Sequence, residues 1–437
     1  MKRLALIVGA FAMTATVAHA QDATEIKNGG EFRVRYENFF NKSAMDANTG
    51  AEQHTDARLK WDMNIRKGEK LQAHVSLLHN ARLGGVSAAS DYPYGTSVNQ
   101  GVYNTGDQNS LIVNRAWGWW RASDAVSFKV GRIGIEFADG AVFSENDWEA
   151  VPVAHEGLDV AFDTSFAMFN LYGIKTRENT AGYAGNSDPE ANYYMLTADL
   201  KNMPSAIKMA NIHIIDVMDD GSTATTGTAN WQHVGLTVGG DVSGFMYKAT
   251  GAFQFGTYNK TPALEQKLSA NMFDLMVGYG MPETMGLKLS LGYHMDSGDD
   301  NGTDDKQNGY QALFYDRHNY AGLMDVVNWG NLSYWNINAS IMPMEDLEAG
   351  LGFYMFSKSK SGGTTTFGRG IASTASTTTA DSALGSEIDL FANKSYGPDL
   401  KIGARYSMFM PGDAMKNTTV KQDKTAHEGY LQASIAF

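Results

Sequence analysis

The sequence predicts an all-β chain, a transmembrane antiparallel up-and-down β-barrel of about 18 strands. Three observations carry that prediction. Apolar and polar residues alternate with a period of two through much of the 437 residues. Short turns and long polar segments alternate between these runs. The last run, HEGYLQASIAF, ends on a bare aromatic, Phe437.

The N-terminus sets the compartment. MKRLALIVGAFAMTATVAHA has a basic start at Lys2 and Arg3, an apolar stretch from Leu4 to Met13, and the small-residue pattern Ala18-His19-Ala20. This is the layout of a secretory signal peptide over 1–20, cut before Gln21, which leaves 21–437 as the barrel. The apolar stretch is too short for a spanning helix, which needs about 20 residues.

Composition agrees. The chain holds 46 Gly, 20 Tyr, 21 Phe and 8 Trp but only 9 Pro and no Cys, which suits many strands and turns. Mean hydropathy is −0.30, and no long apolar run follows the N-terminus, so helical spans are not expected. Without Lys2 and Arg3 the 35 basic residues fall by two against 48 acidic ones, a mature charge of −15. That acidity argues against nucleic acid as a partner.

The strands follow in order. In GEFRVRYENFF, from Gly30, Phe32, Val34 and Tyr36 oppose Glu31, Arg33, Arg35 and Glu37. In ARLKWDMNIR, Leu59, Trp61, Met63 and Ile65 oppose Arg58, Lys60, Asp62, Asn64 and Arg66. LQAHVSL sets Leu71, Ala73, Val75 and Leu77 against Gln72, His74 and Ser76. SLIVNRAWGWWR has no clean apolar face. In VSFKVGRIGIEF the apolar phase shifts at Gly131-Arg132. A β-bulge there would keep Phe128, Val130, Ile133 and Ile135 outward and turn Lys129 and Arg132 inward. LKLSLGYH sets Leu287, Leu289, Leu291 and Tyr293 against Lys288, Ser290, Gly292 and His294. LKIGARYS sets Ile402, Ala404 and Tyr406 against Lys401, Gly403, Arg405 and Ser407. In the last run Leu431, Ala433, Ile435 and Phe437 oppose Tyr430, Gln432, Ser434 and Ala436.

A soluble sandwich also alternates; the connections decide. Short turns are expected at 67–70 and near Ser123, Thr164, Met203, Val242, Pro282, Met344 and Gly397. Long segments are expected at 42–54, 86–109, 139–154, 179–190, 219–228, 260–264, 297–331, 360–384 and 411–426. Tight periplasmic turns with long external loops mark bacterial outer-membrane barrels. The final strand must then pair with the first, because lipid tolerates no open edge. Outer-membrane lipid is the expected partner of the apolar face. The terminal Phe437 is the kind of signal that outer-membrane assembly machinery reads.

Two further stretches carry a resemblance. In 121–162, Gly131-Arg132, Asp147-Trp148 and Gly157-Leu158-Asp159 stand out. In 297–329, Ser297-Gly298-Asp299, Phe314, Tyr315, His318 and Gly322-Leu323-Met324-Asp325 do so. With these motifs the chain resembles the alginate-export family of outer-membrane channels. It departs from the pattern where Glu156-Gly157-Leu158-Asp159 replaces a Phe-Asp-Gly run. The resemblance implies an 18-stranded monomeric barrel with an electropositive pore and inward-folding loops.

If the polar faces point inward, the lumen is hydrated and collects Arg33, Arg35, Arg58, Lys60, Arg66, Lys129, Arg132, Lys288, Lys401 and Arg405, with Glu31, Glu37, Asp62, Glu387 and Asp389. This lining leans basic, so a preference for small hydrophilic or anionic solutes is expected. Cross-strand pairing of the same charges is the alternative. Segment 297–331 is expected to fold inward as a constriction presenting Phe314, Tyr315, Arg317, His318 and Asp325, or to be held by its own aromatics. The aspartates of 296–305 do not have calcium-loop spacing. No cofactor, metal site or enzymatic activity is expected: G-x-S-x-G, H-E-x-x-H and phosphate-cradling motifs are missing. A passive channel is the reading. A plugged adhesive barrel and a barrel-borne hydrolase are the alternatives.

Overall fold

Every long strand pairs antiparallel with its neighbours along the chain, and the last pairs with the first. The computed structural model describes residues 24–41, 51–83, 111–177, 190–220, 227–261, 264–365, 367–368, 381–416 and 423–437. The expected signal peptide and segment 86–109 lie outside them, as does the middle of segment 360–384.

The wall begins with β1 (Thr24–Phe40), β2 (Ala51–Lys67), β3 (Leu71–Arg82), β4 (Leu111–Arg121), β5 (Val126–Ile133) and β6 (His155–Asp163). It continues through β7 (Ala167–Arg177), β8 (Ala191–Leu200), β9 (Ile207–Asp219), β10 (Thr228–Val242), β11 (Phe245–Lys260), β12 (Glu265–Met281) and β13 (Leu287–Asp296). After the two-residue β14 (Lys306–Gln307), which lies parallel to β12, come β15 (Leu332–Met344), β16 (Leu347–Lys358), β17 (Ala383–Tyr396), β18 (Leu400–Pro411) and β19 (Ala426–Ala436). Leaving β14 aside, 18 strands close the barrel. Barrels of that size are wide enough to enclose more than side chains.

The seam follows from the terminal sequence. Ile435 pairs with Phe32 and Leu431 with Tyr36, so both apolar faces turn outward together. The Phe437 ring lies 2.7 Å from where a Cβ on Gly30 would stand, so glycine is required there. Turns at the terminal end are tight. Ser243 and Gly244 have φ of 50° and 87°, a two-residue hairpin with both angles positive, which suits the twist of the flanking strands.

The outer face is apolar and exposed, as lipid contact requires: Phe253, Leu431, Trp335 and Ile337 all project from it. The inner face differs from expectation. At the loop end the lumen is not simply hydrated. Segments 134–154 and 297–331 fold into it and build an apolar core. Phe137, Phe143, Phe314, Tyr315 and Trp329 pack there against inward wall residues such as Met195, Ile215, Trp231 and Leu268. The segments are joined by backbone bonds, Ser144 N–H to the Phe314 carbonyl at 2.7 Å and Asp316 N–H to the Gly140 carbonyl at 2.8 Å. A closed ladder leaves the wall no free backbone groups, so infolded loops must satisfy one another.

One strand corrects the sequence expectation. β5 keeps register with β4 and β6 through Gly131-Arg132, with no bulge. The irregularity sits next door in β4, where the register against β3 skips Asn114. Ile133 and Ile135 therefore turn into the internal core rather than outward. Arg132 falls on the other face, opposite Glu156; its Nη1 reaches Glu156 Oε1 at 2.6 Å and its Nε donates to the Asn114 carbonyl at 2.9 Å. Arg132 is thus not a lumenal residue.

Candidate functional site in the lumen

Pairing of β1 with β2 places Arg33 directly across from Arg58 on the inner face. Like charges so placed repel, and both guanidiniums are buried, which demands acceptors. The tip of segment 134–154 supplies them. Arg33 donates to the carbonyls of Asp147 and Glu149 at 3.1 and 2.9 Å, and Arg58 donates to the same two at 2.9 and 3.0 Å. Arg35 donates to the intervening Trp148 carbonyl at 3.1 Å. Three arginines of the wall thus hold three consecutive carbonyls of one loop.

The Asp147 side chain closes the group from above, 3.2 Å from Arg58 and 3.6 Å from Lys60. Burial alone would raise its carboxyl; Arg58 and Lys60 outweigh that and hold it below the usual carboxylate range. Arg58 also donates to Glu31 at 2.7 Å.

Trp148 is clasped on both faces. The Arg35 guanidinium lies 3.5 Å from its ring centre, and the His318 imidazole stacks at 3.7 Å with planes 1° apart. His318 lies in the short helix α1 (Arg317–Tyr320) of the second infolded segment. Its Nε2 lies 2.8 Å from Arg405 Nη1. A guanidinium only donates, so Nε2 accepts and the proton sits on Nδ1, facing Asp325 at 3.2 Å. Burial lowers the imidazole to about 4, against an opposing pull from Asp325, so His318 is neutral at pH 7. Arg405 donates its other nitrogen to Glu428 at 3.0 Å.

The run Gly322-Leu323-Met324 explains itself on β17. Met324 N–H donates to Glu387 at 2.8 Å and Leu323 N–H to Asp389 at 3.3 Å. Gly322 has φ of +83°, and a Cβ there would stand 2.5 Å from Glu387 Oε1. Only glycine lets the loop backbone come that close to the wall.

The expected site residues divide accordingly. Arg33, Arg35, Arg58, Lys60 and Arg405 come together around Asp147-Trp148-Glu149. Lys129 stands apart, 3.7 Å from Asp159 and over the Trp117 ring. Arg66 is exposed near the turn end and donates to the Gly68 carbonyl at 3.0 Å. Lys288 and Lys401 are exposed on the inner face toward the same end. Phe314 and Tyr315 do not line an aperture: Phe314 packs on Phe143, and Tyr315 stacks on Trp329 and accepts its backbone N–H at 2.9 Å. Arg317 is half-buried beside Asn146. The aspartates of 296–305 serve the loop itself: Asp299 and Asp304 accept backbone N–H groups at 2.7 to 3.0 Å.

Sequence reasoning missed several partners. Lys248 Nζ bridges Asp139 at 2.6 Å and the Tyr320 hydroxyl at 3.1 Å. Arg115 pairs with Glu145. Trp148 was noted only as half of a motif. A period-two reading of β11 sets Lys248 on one face with Thr250 and Gln254, but nothing local ties Asp139 to it.

No curated protein matches the sequence. Solved barrels share its fold at low identity. OccK9 (OpdG) of Pseudomonas aeruginosa aligns with a TM-score of 0.64 and 12% identity over 94% of this chain and 98% of that one. OpdK of the same species gives 0.62 and 11% over 94% and 98%. A BenF-like porin from Pseudomonas fluorescens gives 0.59 and 12%, with the same coverage. The family model described as "Alginate export" matches residues 24–428, so the chain belongs to the alginate-export family of outer-membrane channels.

Proposed function

We propose that the barrel passes small hydrophilic anions, sugar acids among them, by passive diffusion down a gradient. The observation that supports this reading is the gathering of Arg33, Arg35, Arg58, Lys60 and Arg405 on one inner wall, with Lys288, Lys401 and Arg66 exposed below it. Fixed charge along the path, not net charge, sets which ions enter. The family suggests uronate polymers as one cargo. No chemical step belongs to this reading.

The exposed lysines act on the passing solute directly. The buried arginines act at longer range, because their hydrogen bonds are taken by the 147–149 carbonyls. The test is a planar-bilayer recording across a potassium chloride gradient, with liposome swelling in glucose and glucuronate. Open steps with a reversal potential on the anion side, and faster swelling in glucuronate, are expected. Cation preference would refute the proposal. One observation favours a second reading, a plugged structural barrel: the aromatic core across the loop end of the lumen. Silent membranes would support it.

A further inference from the structure

We propose that the outer wall of the barrel carries a site for one acyl chain of a membrane lipid, seated in a groove that crosses β17, β18, β19 and β1. The site does not depend on what passes through the lumen. The groove has a volume of 480 Å³, inside the range of about 300–1,000 Å³ usual for ligand sites. Strand register draws its shape. Leu390 pairs with Tyr406 and, two residues toward the turn end, Ala392 pairs with Ala404. On the next two strands large and small are inverted: Gly429 pairs with Asn38 and, two residues toward the turn end, Leu431 pairs with Tyr36. Tyr406 pairs with Gly429 and Ala404 with Leu431, which joins the halves. Low ground therefore steps from Ala392 and Ala404 up to Gly429, between two ridges of large exposed side chains. Three strand spacings, about 14 Å, separate its ends, against about 15 Å for half of a hydrocarbon core. Phe391, Arg405 and Tyr430 also border the groove. Alternation turns their side chains to the lumen, where Arg405 lies 4.4 Å from the Tyr430 ring centre and donates to Glu428.

The deciding residue is Gly429. A Cβ there would meet nothing nearer than the Arg405 carbonyl at 3.7 Å, an ordinary contact, so the wall itself does not require glycine. Glycine inside a strand weakens it and often marks a close approach by a ligand. What Gly429 supplies is the gap. Hydrocarbon and phenol rings flank that gap, and no side chain of fixed charge faces it. At the loop end of the groove Asn38 donates to the Tyr36 hydroxyl at 3.4 Å, that hydroxyl donates to Gln53 at 3.0 Å, and the Tyr406 hydroxyl lies 2.8 Å from His427 Nδ1. These groups make a polar belt at the level where aromatic residues with polar tips meet lipid heads. The site thus reads the chain and is indifferent to the charge of the head. A second barrel is the wrong occupant: a stable protein interface takes roughly 20–30 residues a side, far more than border this groove.

The experiment strips lipid from the folded, detergent-solubilised chain and adds back phosphatidylglycerol or phosphatidylethanolamine, each with palmitoyl and oleoyl chains. Native mass spectrometry counts the lipid bound to the folded fraction, which gel mobility without heating identifies. Saturation at one lipid per chain is expected with either head. Gly429→Leu and Ala404→Leu, which fill the groove, should each cut that occupancy about tenfold, the scale of losing the burial of a few methylenes. Ala249→Leu, a like enlargement on the outer wall of β11, should leave it unchanged. Equal occupancy in all the chains, uptake without saturation, or a marked preference for one head would overturn the site. A mass of two chains in place of bound lipid would overturn it too, and assign the groove to a second copy.

Discussion

Lys288 and His294 project from the same face of β13, yet they live in different solvents. His294 is fully buried, with Nδ1 3.2 Å from Asp274 and Nε2 3.2 Å from Asp296, and its ring stacks on Trp329 at 4.2 Å. Asp296 also accepts the N–H groups of Gly330 and Leu332 at 2.8 and 2.6 Å. Lys288 stands exposed at the other end of the strand. The strand sets only the direction of each side chain. The infolded loops set its dielectric, and with it whether a charge is structural or available. At the loop end charged groups are neutralised in pairs and hold the loops; at the turn end they face the water of the lumen.

That contrast can be broken most forcefully at Arg58. Arg58→Ala removes a fully buried side chain that donates to Asp147, Glu149 and Glu31, and leaves the two loop carbonyls to Arg33 alone. A loss of about 3–5 kcal/mol is expected from breaking such a buried network. Urea unfolding followed by gel mobility measures it, and a loss below about 1 kcal/mol would mean the loop tip is held by something else.

Acid should act next, through His318. Its folded value, about 4, lies below the ordinary 6.5, so the folded chain binds fewer protons between those values. Stability contributed by the neutral ring is whole above pH 6.5 and is lost as pH falls toward 4, by at most about 1.4 kcal/mol per unit. Unfolding midpoints taken along that window should fall more steeply for the parent chain than for His318→Gln. Parallel slopes would show that the ring does not titrate there.

Gly322→Ala should cost about 1–3 kcal/mol, because it combines a positive φ with a clash at Glu387. The same change should make the open current noisier as segment 297–331 loosens. A quiet trace with unchanged stability would remove the β17 carboxylates from the anchoring role.

The smallest stability effect belongs to the turn end. Lys288→Gln with Lys401→Gln should stay within about 0.5 kcal/mol of the parent while moving the reversal potential toward cations. A shifted midpoint with a fixed reversal potential would invert the comparison between the two halves.

The barrel was legible because its rules are local. Alternation at Phe32, Val34 and Tyr36 against Arg33 and Arg35 gave the outer and inner faces, and the run ending at Phe437 marked the strand that closes on the first. The strand count followed from counting turns. The site was legible in parts. Arg33, Arg35, Arg58 and Arg405 could be placed on the inner face, but not beside Trp148. At β5 local reading failed, since Ile133 and Ile135 look like lipid-facing residues. They are buried instead under Phe143 and Phe314, which arrive from two distant loops. Arg132 went astray for the same reason.

What the sequence determined by itself is the direction of nearly every wall side chain, because a strand in lipid has a period of two and cannot leave its backbone unpaired. What only the tertiary structure decided is which inward charges remain in water. That depends on where segments 134–154 and 297–331 come to rest inside the barrel, a matter of long-range packing and desolvation that no repeat along the chain records.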